Sequence, residues 1–362
     1  MVPVYSRSAL SLLLIIACGT YLIYFTHQTS HWTELQISNR TKQMEKQLLT
    51  IRTNSPEHIT NISLIEKQIA ETNLTIDREF FDYLANHLRD TPYPGVDNYT
   101  RYTVARLGLA PLVGVEPLIP EFGPVINDVL SFTFPISIPP CQDHFIANQT
   151  IVLLVNSAPG NFDRRKIIRQ TWKNHLKAPH IEADLIGIAG FAFVLALTDN
   201  NVTQNQIEEE ANTHGDIIQI GISDFYRNLS LKVAGLFYWL YKYCAKVDFV
   251  AKLDDDVYVN VRNLAHFVQT YRQSNRSMFG SAAGNLWPAR DGKWNMTFED
   301  WPWNEYPPYF LGPAVLFPGS TILPLLAALQ TTPMMPIDDV YYSGMCTEKA
   351  GVGLRFSSNS TR

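Results

Sequence analysis

Three consecutive carboxylates, Asp254, Asp255 and Asp256, stand directly after the short strand-like run 249–253. Adjacent carboxylates repel, so they persist only where a cation or several hydrogen-bond donors compensate them. A divalent cation does this with the hard oxygen ligands it prefers, and its remaining positions suit the oxygens of a nucleoside diphosphate. Held there, it would neutralise charge growing on a departing UDP, the main electrostatic service a protein can give to glycosyl transfer. The plain alternatives are a calcium-stabilised turn and a solvated acidic loop. The end of an apolar strand favours the cation site over both.

A second acidic pair, Asp338 and Asp339, lies in MPIDDVYYSGMC. A carboxylate beside an acceptor sugar could take the proton of a hydroxyl as its oxygen attacks the anomeric carbon opposite the leaving group. One such base without an enzyme nucleophile would invert the configuration. The bland alternative is capping, with Asp338 opening a helix near Val340; the two roles can also divide between the neighbours.

The elements that must position these residues alternate in type. Runs 151–155, 191–197, 217–220 and 249–253 read as strands, and 163–175 and 229–243 as helices. Asp163 is the expected N-cap of the first helix, with Ile167, Ile168 and Trp172 facing inward. Leu229, Val233, Leu236, Phe237 and Leu240 form one stripe of the second. Short strands separated by helices predict an α/β fold with a mainly parallel sheet covered on both faces, and ligands outside the carboxyl ends of its strands.

Residues 9–25 carry no charge, Arg7 precedes them, and the next Lys or Arg is Arg40. This predicts a cytoplasmic tail over 1–8, a type II signal-anchor helix over 9–25, a luminal stem over 26–140 and a catalytic domain over 141–362. A cleaved signal peptide is the rival reading, since Ala17, Cys18, Gly19 and Thr20 are small. Export is supported independently by Asn-x-Ser/Thr acceptors at Asn39, Asn61, Asn73, Asn98, Asn148, Asn201, Asn228, Asn275, Asn295 and Asn359. Cys18 falls in the anchor, which leaves Cys141, Cys244 and Cys346 in an oxidising compartment, and the sequence does not choose among their three pairings. Within the stem, Ile62, Ile65, Ile69 and Ile76 are compatible with a heptad that pairs with a second copy as a homodimer, or with a helix leaning on the catalytic domain. Nine prolines over 92–140 predict an extended connector, while Leu107, Leu109, Leu112 and Val113 within it point to part of it packing against the domain, with an approximate boundary near 141. A formal charge of −5, with 17% charged residues and no basic stripe, gives no support to nucleic-acid binding.

Six stretches taken in order resemble the β-1,3-galactosyltransferase and β-1,3-N-acetylglucosaminyltransferase family, glycosyltransferase family 31. They are RKIIRQTW (165–172), FYRNLSLK (225–232), KLDDDVYVN (252–260), KW (293–294), YPPYFLGPAVLFPG (306–319) and IDDVYYSGMC (337–346). The resemblance implies a GT-A-type fold and an inverting, manganese-dependent Golgi enzyme that transfers galactose or N-acetylhexosamine from a UDP-sugar. The acceptor it implies is the 3-hydroxyl of a sugar on a glycolipid or glycoprotein. Carried over residue by residue, it makes Arg165, Arg169, Lys232, Asp254, Asp255, Tyr309 and Gly312 nucleotide-sugar contacts, with Trp172 packing beside Arg169. It makes Asp256 the direct Mn2+ ligand with Asp254 beside it, and Asp339 the base with Asp338 as its neighbour.

Three departures accompany the resemblance. Gly221 and Ile222 replace an acid and an aromatic residue. Three residues rather than two separate Val340 from Gly344. No His follows His266, where relatives often supply a late His to the metal. The competing reading is an inactive relative, or a calcium-dependent luminal carbohydrate-binding protein using Trp287, Trp294, Trp301, Trp303 and Tyr309 as sugar platforms.

Overall fold

A computed structural model of the chain describes residue 78 and residues 81–141, 149–176 and 186–356. In chain order its elements are α1 (Val96–Leu107), β1 (Thr150–Asn156), α2 (Phe162–Gln170), α3 (Trp172–His175), β2 (Gly187–Leu197), α4 (Asn201–His214), β3 (Ile217–Ser223), α5 (Leu229–Tyr243) and β4 (Phe249–Asp254). There follow α6 (Val261–Thr270), β5 (Ser277–Ala282), β6 (Phe310–Pro318), α7 (Ile322–Thr331), a π-helical segment (Asp339–Met345), α8 (Cys346–Ala350) and β7 (Gly353–Phe356).

The central strands are mostly apolar because helices cover both faces, with Lys252 the charged exception inside β4. In β1, Ile151, Leu153 and Val155 pack with Ile168, Trp172 and Ile207 on one side. Val152 and Leu154, pointing the other way, join Val233, Phe237 and Leu240 of α5. The seven strands lie in the order β3-β2-β1-β4-β6-β5-β7. β1 is parallel to β2 and β4, β2 to β3, and β5 to β7, while β6 runs antiparallel to β4 and β5. The sheet is therefore mixed and mostly parallel, as the alternation of elements predicted. The reversed strand matters for the site: Leu253 pairs with Ala314, so the start of β6 comes alongside the carboxyl end of β4.

The predicted helix over 163–175 is broken at Thr171, whose φ of −110° and ψ of −112° separate α2 from α3. Its N-cap is Asn161 rather than Asp163, and no side chain caps it. The Asn161 amide instead reaches Asp255, as described below.

The compact unit begins at Asp77, upstream of the boundary expected at 141. Prolines exclude a long helix over 92–140, but they do not prevent packing. Phe81, Val96, Tyr99, Tyr102 and Val129 join the core beside α5 and α7, and Ile126 and Asn127 donate their backbone N–H groups to the Gln330 carbonyl. Ile136 bridges Gln219 at the edge of β3. Of the three open disulfide pairings, Cys141–Cys244 is formed, which fastens this segment to the end of α5 and leaves Cys346 buried as a thiol. The expected anchor over 9–25 and the stem isoleucines lie outside the described residues. Among those described, no helix is long and apolar enough to cross a membrane.

Candidate active site

The loop leaving β1 and the end of β4 lie side by side and line a cleft of about 360 Å³, together with Asp224, Tyr226, Lys232 and Lys293; Asn156, Ser157 and the three aspartates are the residues they contribute. The aspartates are not equivalent. Asp255 is buried and accepts hydrogen bonds from Ser157 Oγ at 2.7 Å, Asn161 Nδ2 at 2.8 Å and Arg164 at 2.8 Å. Its charge is thus compensated by the β1–α2 connection, and its role is to lock the triplet to that loop. Asp254 is half-buried, and burial raises its carboxyl above the usual range; Lys252 opposes this, while Asp256 and Asp255 add to it. Asp256 is exposed, with Arg164 3.3 Å away.

A cation is implied by this negative charge, and the donor set suits one. Asp254 and Asp256 supply hard oxygens that the surrounding protein compensates incompletely. Among the described residues no group of three or more His, Cys, Asp or Glu forms a metal cage.

Lys232 lies at the cleft wall, buried, with Nζ donating to the Ser157 carbonyl at 2.8 Å. Burial pushes its ammonium down to about 8, against the pull of Asp224, Asp254 and Asp255. It supports the β1 loop and faces the carboxylates at once.

The second acidic pair stands at the start of the π-helical segment. The Gly312 N–H donates to Asp339 Oδ2 at 2.8 Å, an approach that leaves no room for a Cβ on residue 312. Burial pushes the Asp339 carboxyl up to about 7, Asp338 adds to the shift, and Lys252 opposes it. Burial likewise raises Asp338. Asp338 makes no side-chain cap, so the capping alternative is not realised. The residue extra to the usual spacing before Gly344 is accommodated where the chain winds as a π-helix, which takes one more residue per turn than an α-helix. Within that turn Ser343 Oγ donates to the Asp339 carbonyl at 2.6 Å and accepts the Phe310 N–H at 3.0 Å, tying the segment to β6.

Lys252 connects the two acidic sites and was given no role from sequence. Its buried ammonium lies 3.8 Å from Asp254 Oδ1 and 3.4 Å from the Gly312 carbonyl. Burial disfavours the charge, but Tyr342 and the carboxylates of Asp254, Asp338 and Asp339 outweigh it and keep the lysine protonated. A lysine inside an apolar strand, two residues before an aspartate and so on the same face, was the available signal. Arg164, Ser157 and Asn161 were also missed; nothing local marks them as partners of a distant carboxylate.

Other expected contacts are placed elsewhere. Arg165 is fully buried, pairs with Glu210 at 2.7 Å and donates to the carbonyls of Ala158 and Pro159. Arg169 pairs with Glu210 at 2.6 Å and Asp216 at 2.7 Å. Neither lines the cleft; Arg165 holds α2 to α4 and shapes the loop behind the site, and Arg169 holds α2 to α4 and to Asp216 just before β3. Trp172 is core, as expected. Tyr309 is half-buried, and burial with Asp339 nearby raises its phenol. Trp301 and Trp303 are buried in an aromatic cluster with Tyr93, Tyr99 and Tyr102, which removes them as sugar platforms, whereas Trp287 and Trp294 are exposed. Gly221 has a packing reason: a side chain there would collide with Thr133, whose carbonyl accepts the Gly221 N–H at 2.9 Å. Asn98, Asn201, Asn275 and Asn295 are exposed and Asn228 is half-buried; the other five acceptors lie outside the described residues.

A mixed α/β sheet with paired carboxylates at the carboxyl end of a central strand and a second acidic pair across from them defines the class. The chain matches the Galactosyltransferase family model over residues 163–356 and belongs to that family. It is 31% identical over 218 residues to a Danio rerio lactosylceramide 1,3-N-acetyl-beta-D-glucosaminyltransferase A, a match covering 56% of this chain and 55% of that protein. It is 29% identical over 208 residues to the Pan troglodytes beta-1,3-galactosyltransferase 5, covering 56% and 67%. A Homo sapiens acetylgalactosaminyl-O-glycosyl-glycoprotein beta-1,3-N-acetylglucosaminyltransferase is 33% identical over 212 residues, covering 56% and 53%. The matched segment thus spans about half to two thirds of these relatives.

Proposed function

We propose that the chain is an inverting β-1,3-hexosyltransferase that moves galactose or N-acetylhexosamine from a UDP-sugar to the 3-hydroxyl of an acceptor sugar on a glycolipid or glycoprotein. The observation that carries this reading is Asp339. Its carboxyl is fixed by the Gly312 amide and pushed up to about 7, the range where a general base works at neutral pH. Asp339 takes the acceptor hydroxyl proton while that oxygen forms its bond to the anomeric carbon. The bond from that carbon to the UDP oxygen breaks on the opposite face, so an α-linked donor gives a β-linked product.

Asp254 and Asp256 would hold Mn2+, which supplies charge neutralisation to the departing diphosphate. Asp255 fixes the triplet through Ser157, Asn161 and Arg164, and Lys232 holds the β1 loop that closes the same cleft. The seven-stranded mixed sheet suits the GT-A class. The uncharged run 9–25 and the ten glycosylation acceptors support a type II Golgi membrane protein with a luminal catalytic unit, and the stem isoleucines support pairing of two copies.

The test is incubation of the full chain in detergent with Mn2+, UDP-galactose or UDP-N-acetylglucosamine, and a set of galactose- and N-acetylhexosamine-terminated acceptors. UDP release coupled to a new β-1,3 linkage is expected. Glycan binding without donor consumption would instead identify a carbohydrate-binding protein.

A further inference from the structure

We propose that Lys293 is a cation of the donor-diphosphate site, lining the same cleft as the aspartates; this rests on the cleft being a nucleotide-sugar site. The cleft wall carries Asp254, Asp255 and Asp256, whose charge repels a diphosphate. Two lysines line the same cleft. Lys232 is already committed, since its buried ammonium donates to the Ser157 carbonyl and faces the carboxylates. Lys293 is not: among the described residues no carboxylate lies within 4.0 Å of it, and its ammonium sits over aromatic rings, 4.7 Å from the centroid of Tyr226 and 5.6 Å from that of Trp294. Ring faces hold a cation in place without neutralising it. A lysine so held remains available to phosphate as a point charge.

The position of Lys293 is fixed by its segment, although residues 283–309 form no helix or strand. Arg290 donates to the carbonyls of Met296, Thr297, Trp301 and Trp303 at 2.8–3.0 Å. The Met296 N–H reaches the Ala289 carbonyl at 2.8 Å, and Gly292, with φ of 68°, makes the turn that presents Lys293. Trp301 and Trp303 bury the far end of the segment in the core. The lysine is thus presented to the cleft by a braced turn.

The test is calorimetric binding of UDP and of uridine to the full chain in detergent with Mn2+, comparing the parent with Lys293→Met, Lys293→Arg and Lys242→Met. Lys242 is the matched control, an ammonium over two rings, Tyr238 and Tyr243, at 5.7 and 5.2 Å on the end of α5. Lys293→Met should bind UDP about ten-fold more weakly, the loss typical of one charge-assisted hydrogen bond, and bind uridine as the parent does. Lys293→Arg should stay within about three-fold of the parent, and Lys242→Met should match it. Parental UDP affinity in Lys293→Met, or an equal loss for uridine, overturns the assignment of Lys293. Failure of the parent itself to bind UDP overturns the nucleotide-sugar reading on which the assignment rests.

Discussion

The Gly312 amide donates to Asp339 Oδ2 at 2.8 Å, and a Cβ placed on Gly312 would overlap both oxygens of the same carboxylate. The glycine is there for space. It lets the backbone at the start of β6 approach a side chain on the π-helical segment closely enough to fix it. Gly312→Ala should therefore displace Asp339 and lower turnover by roughly 10²-fold, as misplacement of about 1 Å can do. Stability should fall by only about 1–3 kcal/mol, the usual cost of overpacking. Steady-state kinetics beside urea unfolding checks both; parental turnover would remove the positional role of the contact.

Asp256→Asn should lower Mn2+-dependent transfer by at least about 10²-fold, because it weakens compensation of the leaving diphosphate. Asp256 is exposed and, among the described residues, accepts a single 3.3 Å contact, from Arg164, so circular dichroism should stay close to the parent's. Transfer that survives at parental rate with and without a chelator contradicts the metal assignment.

The acidity of Asp339 gives stability and activity opposite slopes. Burial raises the folded carboxyl to about 7, whereas in the unfolded chain it titrates near its ordinary value of about 4. Between these values the folded state binds a proton that the unfolded state has lost, so this group's contribution to stability falls as pH rises from about 4 to 7. Asp339→Asn should remove that part of the slope, seen as a smaller decline of the thermal midpoint between pH 5 and 8. A base must be ionised to act, so kcat/KM of the parent should rise through about pH 7. A flat kcat/KM profile across that range contradicts the base role.

The site was legible in the sequence where chemistry coincides with adjacency. An aspartate triplet after an apolar strand and a second acidic pair in a short motif can be found without knowing what lies across the sheet, and the structure brings both near Lys252. Pairing between distant charges was not legible. Arg165 and Arg169 look available until Glu210 and Asp216 arrive from α4 and the start of β3 to bind them. The fold shows the same division. Periodicity located α5 with the bounds 229–243, whereas over 92–140 Leu107, Leu109, Leu112 and Val113 pointed to packing against the domain and the prolines to an extended connector. The prolines constrain backbone shape and say nothing of the groove that Tyr99 and Tyr102 fill.

The Cys141–Cys244 disulfide spans a sequence separation of 103 and ties the upstream segment to α5. Cys244→Ser should lower unfolding free energy by roughly 2–5 kcal/mol. Non-reducing peptide mapping of the parent should recover the Cys141–Cys244 pair, with Cys346 alkylated only after denaturation because it is buried. A Cys346-containing linked peptide would contradict the pairing.

The central claim is that Asp339 accepts the proton of the attacking hydroxyl in an inverting transfer. Its most direct test is single-turnover transfer by Asp339→Asn and Asp338→Asn, with UDP-sugar affinity measured separately on each and the product anomer assigned by NMR. The account predicts a loss of about 10² to 10⁴-fold for Asp339→Asn with donor affinity within a few-fold of the parent, a milder loss for Asp338→Asn, and a β-linked product from the α-linked donor. Near-parental transfer by Asp339→Asn, or an α-linked product, would contradict it.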